Sequence, residues 1–447
     1  PGEHEGAEDG LFRFGEQRAV SADVLALGSW TNTPEGGRVC RYSVKSTGAA
    51  LLSVQFDLFH VPFGGKVFLY DEGRTKFIGA FTHANEQSDG KFATALLPGD
   101  AVTIEYQEPA GAPPAELHIA GVTHAWRNIF NHASAGQRDY DPGYQSSPCQ
   151  TNVVCPVAAD WQDQNRAVLM FLEPNGTACN GTLLNNTLQN GRPYVLIAHH
   201  CYQPTESQWV FYFNYQSPTC IGDTGQTAQT ITGAVRRSGT YEGDYDLMEL
   251  NTVPPAAFDA YYAGWDHSGT APQSGASIYN PLADVKKIAF YNTTATSATA
   301  PSTGAACWQN YWYSGILEAV ASGAPLFDQN KRGVGAVLDG DQTCATVTTE
   351  PTISATFSAN WDGLTPETRL RDWLDPANST LALDGYDPNG LTSSTVKVRV
   401  KAMLQGPFDP TTGLMSAALN VSGLLPLAEP YTGLGYVHHG GGGGETT

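Results

Sequence analysis

The stretch Tyr194-Val195-Leu196-Ile197-Ala198-His199-His200-Cys201 decides how the chain is read. Apolar and aromatic residues, unbroken by Gly or Pro, run into a His-His-Cys corner. Such a run predicts a buried strand that ends at a rigid turn. A histidine at the mouth of that strand has a fixed backbone and a ring able to face a cleft, which suits a general base. Cys201 can pin the corner by a disulfide to Cys179, which opens the strand-like run Cys179-Asn180-Gly181-Thr182-Leu183-Leu184. Taken alone, a structural histidine beside a disulfide is an equal reading.

Two further stretches bear on the choice. Gly243-Asp244-Tyr245-Asp246-Leu247-Met248-Glu249-Leu250 puts an acid at the start of an apolar alternation, where it can orient an imidazole. Ala321-Ser322-Gly323-Ala324-Pro325-Leu326 is a small-residue turn feeding the strand-like Gly333-Val334-Gly335-Ala336-Val337-Leu338. The order His, Asp, Ser is that of chymotrypsin-type double barrels; subtilisins and α/β-hydrolases use other orders.

Residues from about 145 to 385 resemble bacterial lysyl endopeptidases, a branch of the trypsin-like serine proteases. The matching text is dispersed but in one order. It comprises Cys149-Gln150-Thr151-Asn152-Val153-Val154-Cys155-Pro156, the His200 motif, Phe213-Asn214-Tyr215-Gln216, Asp244 with Leu250-Asn251, Ala263-Gly264-Trp265-Asp266, Ser322-Gly323 and Asp372-Trp373-Leu374-Asp375-Pro376. The resemblance implies His200 as base, Asp244 as its orienter and Ser322 as nucleophile. It also implies the disulfides Cys149–Cys344, Cys155–Cys220 and Cys179–Cys201. Cys40 and Cys307 then remain, either as two buried thiols or as a fourth bridge between regions. The bridge is the expectation, because an oxidising compartment rarely leaves accessible thiols unpaired.

Composition sets the class. Only 15% of the 447 residues are charged, and the net charge is −20. Short alternating runs outnumber charged helix-forming stretches, which predicts a mostly β protein. The acidic balance argues against nucleic acid and anionic membranes as partners. No apolar run approaches the roughly 20 residues of a membrane helix. Cysteine usage predicts a secreted or cell-surface protein, and the start at Pro1 reads as a processed form. No cofactor is expected; His199 and His200 diverge as neighbours, so they make a poor metal pair. Glu242, Asp244 and Asp246 share one face of a strand and read as a solvated edge before a Ca²⁺ site.

The expected architecture has three parts. After a loose arm over 1–20, residues 21–128 carry repeated strand signals with turns about every ten residues, which predicts an antiparallel β-sandwich. This part resembles the pro-region of lysyl endopeptidase precursors. A linker is expected over 129–147, where the family would be cut near Gly143 to Ser147, yet the nearest basic residue is Arg138. Residues 148–384 make the two-barrel chymotrypsin-like domain, closed by a helix around Pro366 to Trp373 with Thr365 as its cap. After a linker over 385–394, residues 395–447 form a short β-type extension. It opens with the strand Thr395-Val396-Lys397-Val398-Arg399-Val400-Lys401 and resembles the start of a β-module of bacterial surface proteins.

The chemistry expected is acyl transfer. Ser322 attacks the amide carbonyl, His200 takes and returns the proton, and Asp244 holds the tautomer. The oxyanion would be held by the backbone N–H groups of Val320 and Ser322, at about 3–4 kcal/mol per donor. The family reads Gly-x-Ser-Gly at this turn, whereas this chain reads Val320-Ala321-Ser322-Gly323. A β-branched residue there threatens the oxyanion hole. The specificity pocket departs too: Thr352 stands where the family places an aspartate for substrate lysine, with Glu350 nearby, so lysine preference is not expected. The family's histidine after the next strand is Asp339. Two readings follow. One is a secreted serine endopeptidase acting on protein or peptide substrates. The other is an impaired homologue serving as a surface scaffold, adhesin or assembly component.

Overall fold

The computed structural model describes residues 11–130, 146–340 and 342–390, with the short pieces 408–409 and 414–415. The chain divides into two units, Pro1–Pro388 and Asn389–Thr447. In the second, Phe408–Asp409 pairs antiparallel with Leu414–Met415. The strand expected over Thr395 to Lys401 lies outside the described residues.

The first unit is mostly β. Its N-terminal part is an antiparallel sandwich. One sheet runs Gly15–Asp23, Glu116–Ala125, Leu51–His60 and Phe92–Ala93; the other runs Ser29–Asn32, Arg38–Lys45, Ala101–Glu108, Lys66–Asp71 and Phe77–Phe81. Alternation does the sorting: along Ala101–Glu108, Val102, Ile104 and Tyr106 point into the core. Leu51–His60 breaks the alternation and is buried along most of its length. Its second face packs on the part that follows in the chain, where Gln208 Nε2 donates to the Phe56 carbonyl at 3.0 Å.

Two expectations change here. The arm ends before residue 15, because Gly15–Asp23 is an edge strand paired with Glu116–Ala125. Ile129 and Phe130 are not loose linker either. Both are buried, and the Phe130 ring lies 5.1 Å from those of Tyr212 and Tyr215.

Two barrels follow. The first runs Thr230–Thr232, Val210–Phe213, Val168–Leu172, Ala178–Leu184, Tyr194–Ile197, Tyr245–Leu250 and Ala234–Thr240. Its two end strands are consecutive in the chain, joined through Gly233 at φ +86°, so the sheet curls on itself. The second carries Lys287–Tyr291, Gly275–Tyr279, Pro325–Phe327, Gly333–Asp339, Thr352–Thr356 and Ala306–Asn310 in that order. The helix expected near the end is two short pieces, Pro366–Thr368 and Arg371–Leu374, and Thr365 caps the first with Thr368.

Disulfides join Cys149 to Cys344, Cys155 to Cys220 and Cys179 to Cys201. The expected fourth bridge is absent: Cys40 and Cys307 are buried free thiols. Each sits in a separate apolar core, Cys40 within the sandwich and Cys307 beside Ala305 and Leu338. The argument from accessible thiols does not apply to thiols that solvent cannot reach.

Candidate active site

The strand Tyr194–Ile197 delivers the short turn His199–Cys201, and the Cys179–Cys201 bond fixes that turn to the neighbouring strand. The two histidines diverge, and each meets its own acid. His199 Nδ1 is 2.9 Å from Asp246 Oδ2. His200 Nδ1 is 2.9 Å from Asp244 Oδ2. Glu242 is exposed as expected, but the two aspartates are not on a solvated edge. Asp244 is 1% exposed and Asp246 is fully buried, because the imidazoles give them partners away from water. Burial pushes the Asp246 carboxyl up, against the pull of His199 and Arg236.

Asp244 is set by its backbone. It has a left-handed φ of +45°, and Oδ1 also accepts the His200 backbone N–H at 3.0 Å. With Nδ1–H donated to this carboxylate, Nε2 is left as an acceptor. It faces Ser322 Oγ at 2.7 Å. Hydroxyl, imidazole and carboxylate thus form one hydrogen-bonded line that joins the two barrels. The His200 side chain is 29% exposed and Ser322 is half-buried, so the line opens to solvent with the sandwich in place.

The turn before Ser322 is unusual. Val320 is buried with φ +74°, a conformation that glycine adopts freely and that a β-branched residue adopts at about 1–3 kcal/mol. The turn nonetheless has the glycine form. Among the described residues, the N–H groups of Val320 and Ser322 have no partner, while Ala321 N–H donates to the Glu318 carbonyl at 3.1 Å. Gly323 is needed where it stands: at φ +79°, a Cβ would lie 2.1 Å from the Asn180 carbonyl oxygen.

The pocket side carries no carboxylate at the expected position. Thr352 is 1% exposed, and its Oγ1 accepts from Trp312 Nε1 at 2.9 Å. Gly340 lies against it, since a Cβ there would be 2.6 Å from Thr352 Cγ2. Glu350 is exposed and offers its carbonyl, not its carboxylate, to Gln342. Asp339 is exposed at the end of its strand.

Sequence reading missed Asn180, which is fully buried beneath the Ser322 turn, and Glu318, whose carboxylate accepts from Ser147 and Gln150. Neither has a motif of its own; only the cross-barrel contacts single them out.

A model of the lysyl endopeptidase C-terminal domain matches residues 144–353, and one of the lysyl endopeptidase N-terminal domain matches residues 7–125. The chain belongs to the lysyl endopeptidase family. It is a trypsin-like serine protease by family, and the two family domains cover the sandwich and most of the double barrel. Among solved structures, the Rv3671c protease of M. tuberculosis in its inactive form is 12% identical over 47% of this chain and 92% of that one, with a TM-score of 0.31. The HtrA-type protease AlgW with a decapeptide is 9% identical over 45% of this chain and 64% of that one, with a TM-score of 0.32. This lysyl endopeptidase-family chain keeps the disulfide set that its resemblance implied, and Thr352, the residue that the resemblance sets against the family's aspartate, is buried.

Proposed function

We propose that this chain is a secreted serine endopeptidase that uses His200, Asp244 and Ser322 and does not prefer lysine. The observation that carries the reading is the 2.7 Å approach of Ser322 Oγ to His200 Nε2 while Nδ1 is held by Asp244. In that geometry His200 takes the hydroxyl proton as Oγ bonds to the substrate carbonyl carbon. It then returns the proton to the leaving amine, and water repeats the sequence to free the acid. The N–H groups of Val320 and Ser322, without a partner among the described residues, receive the developing oxyanion.

The N-terminal sandwich stays part of the working protein in this reading. Its hydrogen bonds reach the first barrel: Thr123 Oγ1 donates to the Pro174 carbonyl at 2.9 Å, Tyr212 Oη accepts from Leu96 N–H at 3.0 Å, and Gln87 Nε2 donates to the Ser207 carbonyl at 2.8 Å, while Leu96 and Ala125 share an apolar cluster with Val320. None of these contacts crosses His200 or Ser322. The substrates are proteins or peptides, and three disulfides fit an extracellular setting. Thr352, already bonded to Trp312, offers no charge to a substrate side chain, which suits a small or apolar P1 residue.

The test is labelling of the intact chain with a fluorophosphonate, which bonds to an activated serine and expels fluoride. The expected result is labelling of the native chain and none of Ser322→Ala. Absence of labelling in the intact chain, and again after the sandwich is cut away, would favour the impaired surface-scaffold reading.

A further inference from the structure

Four consecutive carbonyls around the candidate oxyanion turn are held, and among the described residues the two N–H groups that would face an oxyanion have no partner. Ala319 C=O accepts from Leu282 N–H at 3.0 Å, Ala321 C=O from Ala324 N–H at 2.9 Å, and Ser322 C=O from Asn180 N–H at 2.9 Å. The carbonyl of Val320 accepts from the Asn180 side-chain Nδ2. One residue of the first barrel therefore grips the turn at two points, through its backbone and through its amide. That amide is aimed rather than loose. Asn180 is 0% exposed, and its Oδ1 accepts the Asn280 N–H at 3.0 Å. Asn280 is anchored in turn, its Nδ2 donating to the Tyr215 carbonyl at 3.0 Å and to the Asp284 carbonyl at 2.8 Å.

The grip matters because of what occupies the turn. Valine at φ +74° relaxes toward negative φ when nothing opposes it, and that rotation swings the flanking peptide planes and their N–H groups. Glycine would need no restraint. The Val320 side chain is also enclosed, in an apolar cluster that includes Phe14 and Phe130 from outside the barrels. Enclosure resists rotation of the side chain; the hydrogen bond to the Val320 carbonyl fixes the peptide joining Val320 to Ala321, which lies between the two peptides that carry the Val320 and Ser322 N–H groups.

We propose that Asn180 is a positioning residue for the reaction: its side-chain amide locks the Val320 peptide, so that valine keeps the oxyanion geometry glycine would adopt unaided. The assignment rests on the serine endopeptidase reading above. It deepens that reading by naming the residue that makes the valine turn workable. Asn180 touches neither substrate nor the reacting atoms, and its effect passes through residue 320.

A double-mutant cycle on the full chain tests it, with wild type, Asn180→Ala, Val320→Gly and the double variant. A peptide ester supplies kcat and KM separately, and the fluorophosphonate labelling rate is followed in parallel. The expected result is a fall in kcat of about tenfold or more for Asn180→Ala with KM within about threefold, as for lost transition-state stabilisation. In the Val320→Gly background, the same substitution should cost less than about threefold, because glycine holds the turn alone. Asn180→Asp keeps the shape and removes the donor. It repeats the measurement should the alanine variant not fold, and melting curves establish which variants are folded. Equal losses in both backgrounds, or a change confined to KM, overturn the positioning role while leaving the endopeptidase reading intact. A wild-type chain that is neither labelled nor active overturns both.

Discussion

Ser147 donates its backbone N–H to Glu318 Oε1 at 3.0 Å and its hydroxyl to Oε2 at 2.8 Å. Ser146 Oγ donates to Asp284 Oδ2 at 2.6 Å in the same segment. The carbonyl of Glu318 accepts from Ala321, so the chain entering the protease part is tied to the base of the Ser322 turn. A carboxylate satisfied in this way does not wait for a newly cut amino terminus. Replacing it with alanine orphans the part-buried Ser147 donors, at no more than the about 1–3 kcal/mol of a buried group. We expect Glu318→Ala to slow fluorophosphonate labelling of the uncut chain by about tenfold. Unchanged labelling with a lowered melting temperature would confine Glu318 to a structural role.

In the proposed reading, cleavage specificity follows from Thr352. A peptide library with varied P1 should show no enrichment of lysine, because Thr352 offers no charge and its hydroxyl is engaged by Trp312. Thr352→Asp should raise the relative rate at lysine and lower the melting temperature, since the new carboxylate is buried and unpaired in the free enzyme. Enrichment of lysine by the unaltered protein would show that another acid serves the pocket.

Two buried groups give the stability a defined pH dependence. Burial pushes the Glu173 carboxyl up to about 8, with Thr177 Oγ1 donating to it and Arg13 as the nearby cation. Between about 4.5 and 8 the folded state keeps a proton that the unfolded chain has lost. Stability therefore falls with rising pH in that window, by up to about 1.4 kcal/mol per pH unit. Glu173→Gln should flatten this slope in urea titrations run from pH 5 to 8.

Lys286 has the opposite sign. It is buried, its Nζ donates to the carbonyls of Asn165 at 2.9 Å and Val168 at 2.6 Å, and desolvation lowers it to about 7. Between about 7 and 10.5 the unfolded chain holds the extra proton, so stability rises with pH there. Lys286→Met should remove that rise, and a rise that survives the substitution would assign it to another group.

The two free thiols can be counted. Burial raises the Cys40 thiol and pushes Cys307 up to about 11. Alkylation of the native chain should modify neither, and alkylation after denaturation without reductant should modify both. A single bridged peptide containing Cys40 and Cys307 would restore the fourth disulfide.

The alternating runs fixed much of the architecture in advance, because a strand's two faces are written at a period of two residues. Leu51–His60 shows the limit. Its unbroken burial is illegible as a single sandwich strand, since the second face is covered by residues distant in the chain. The His-His-Cys corner and the small-residue turn marked candidate residues on chemistry alone. Their convergence, 2.7 Å between His200 and Ser322, belongs to the packing of two barrels. The resemblance paired His200 with Asp244, but nothing in the sequence paired His199 with Asp246. His199 and His200 are neighbours in the chain, and only the turn geometry sends them to Asp246 and Asp244.

The sequence by itself determined a β-rich chain with a protease-like order of His, Asp and Ser, since side-chain chemistry and strand period are local properties. The tertiary structure alone decided that Val320 occupies a glycine-like turn. The groups that hold it there, Asn180 above all, come from another barrel, and no local pattern encodes a contact between strands so far apart.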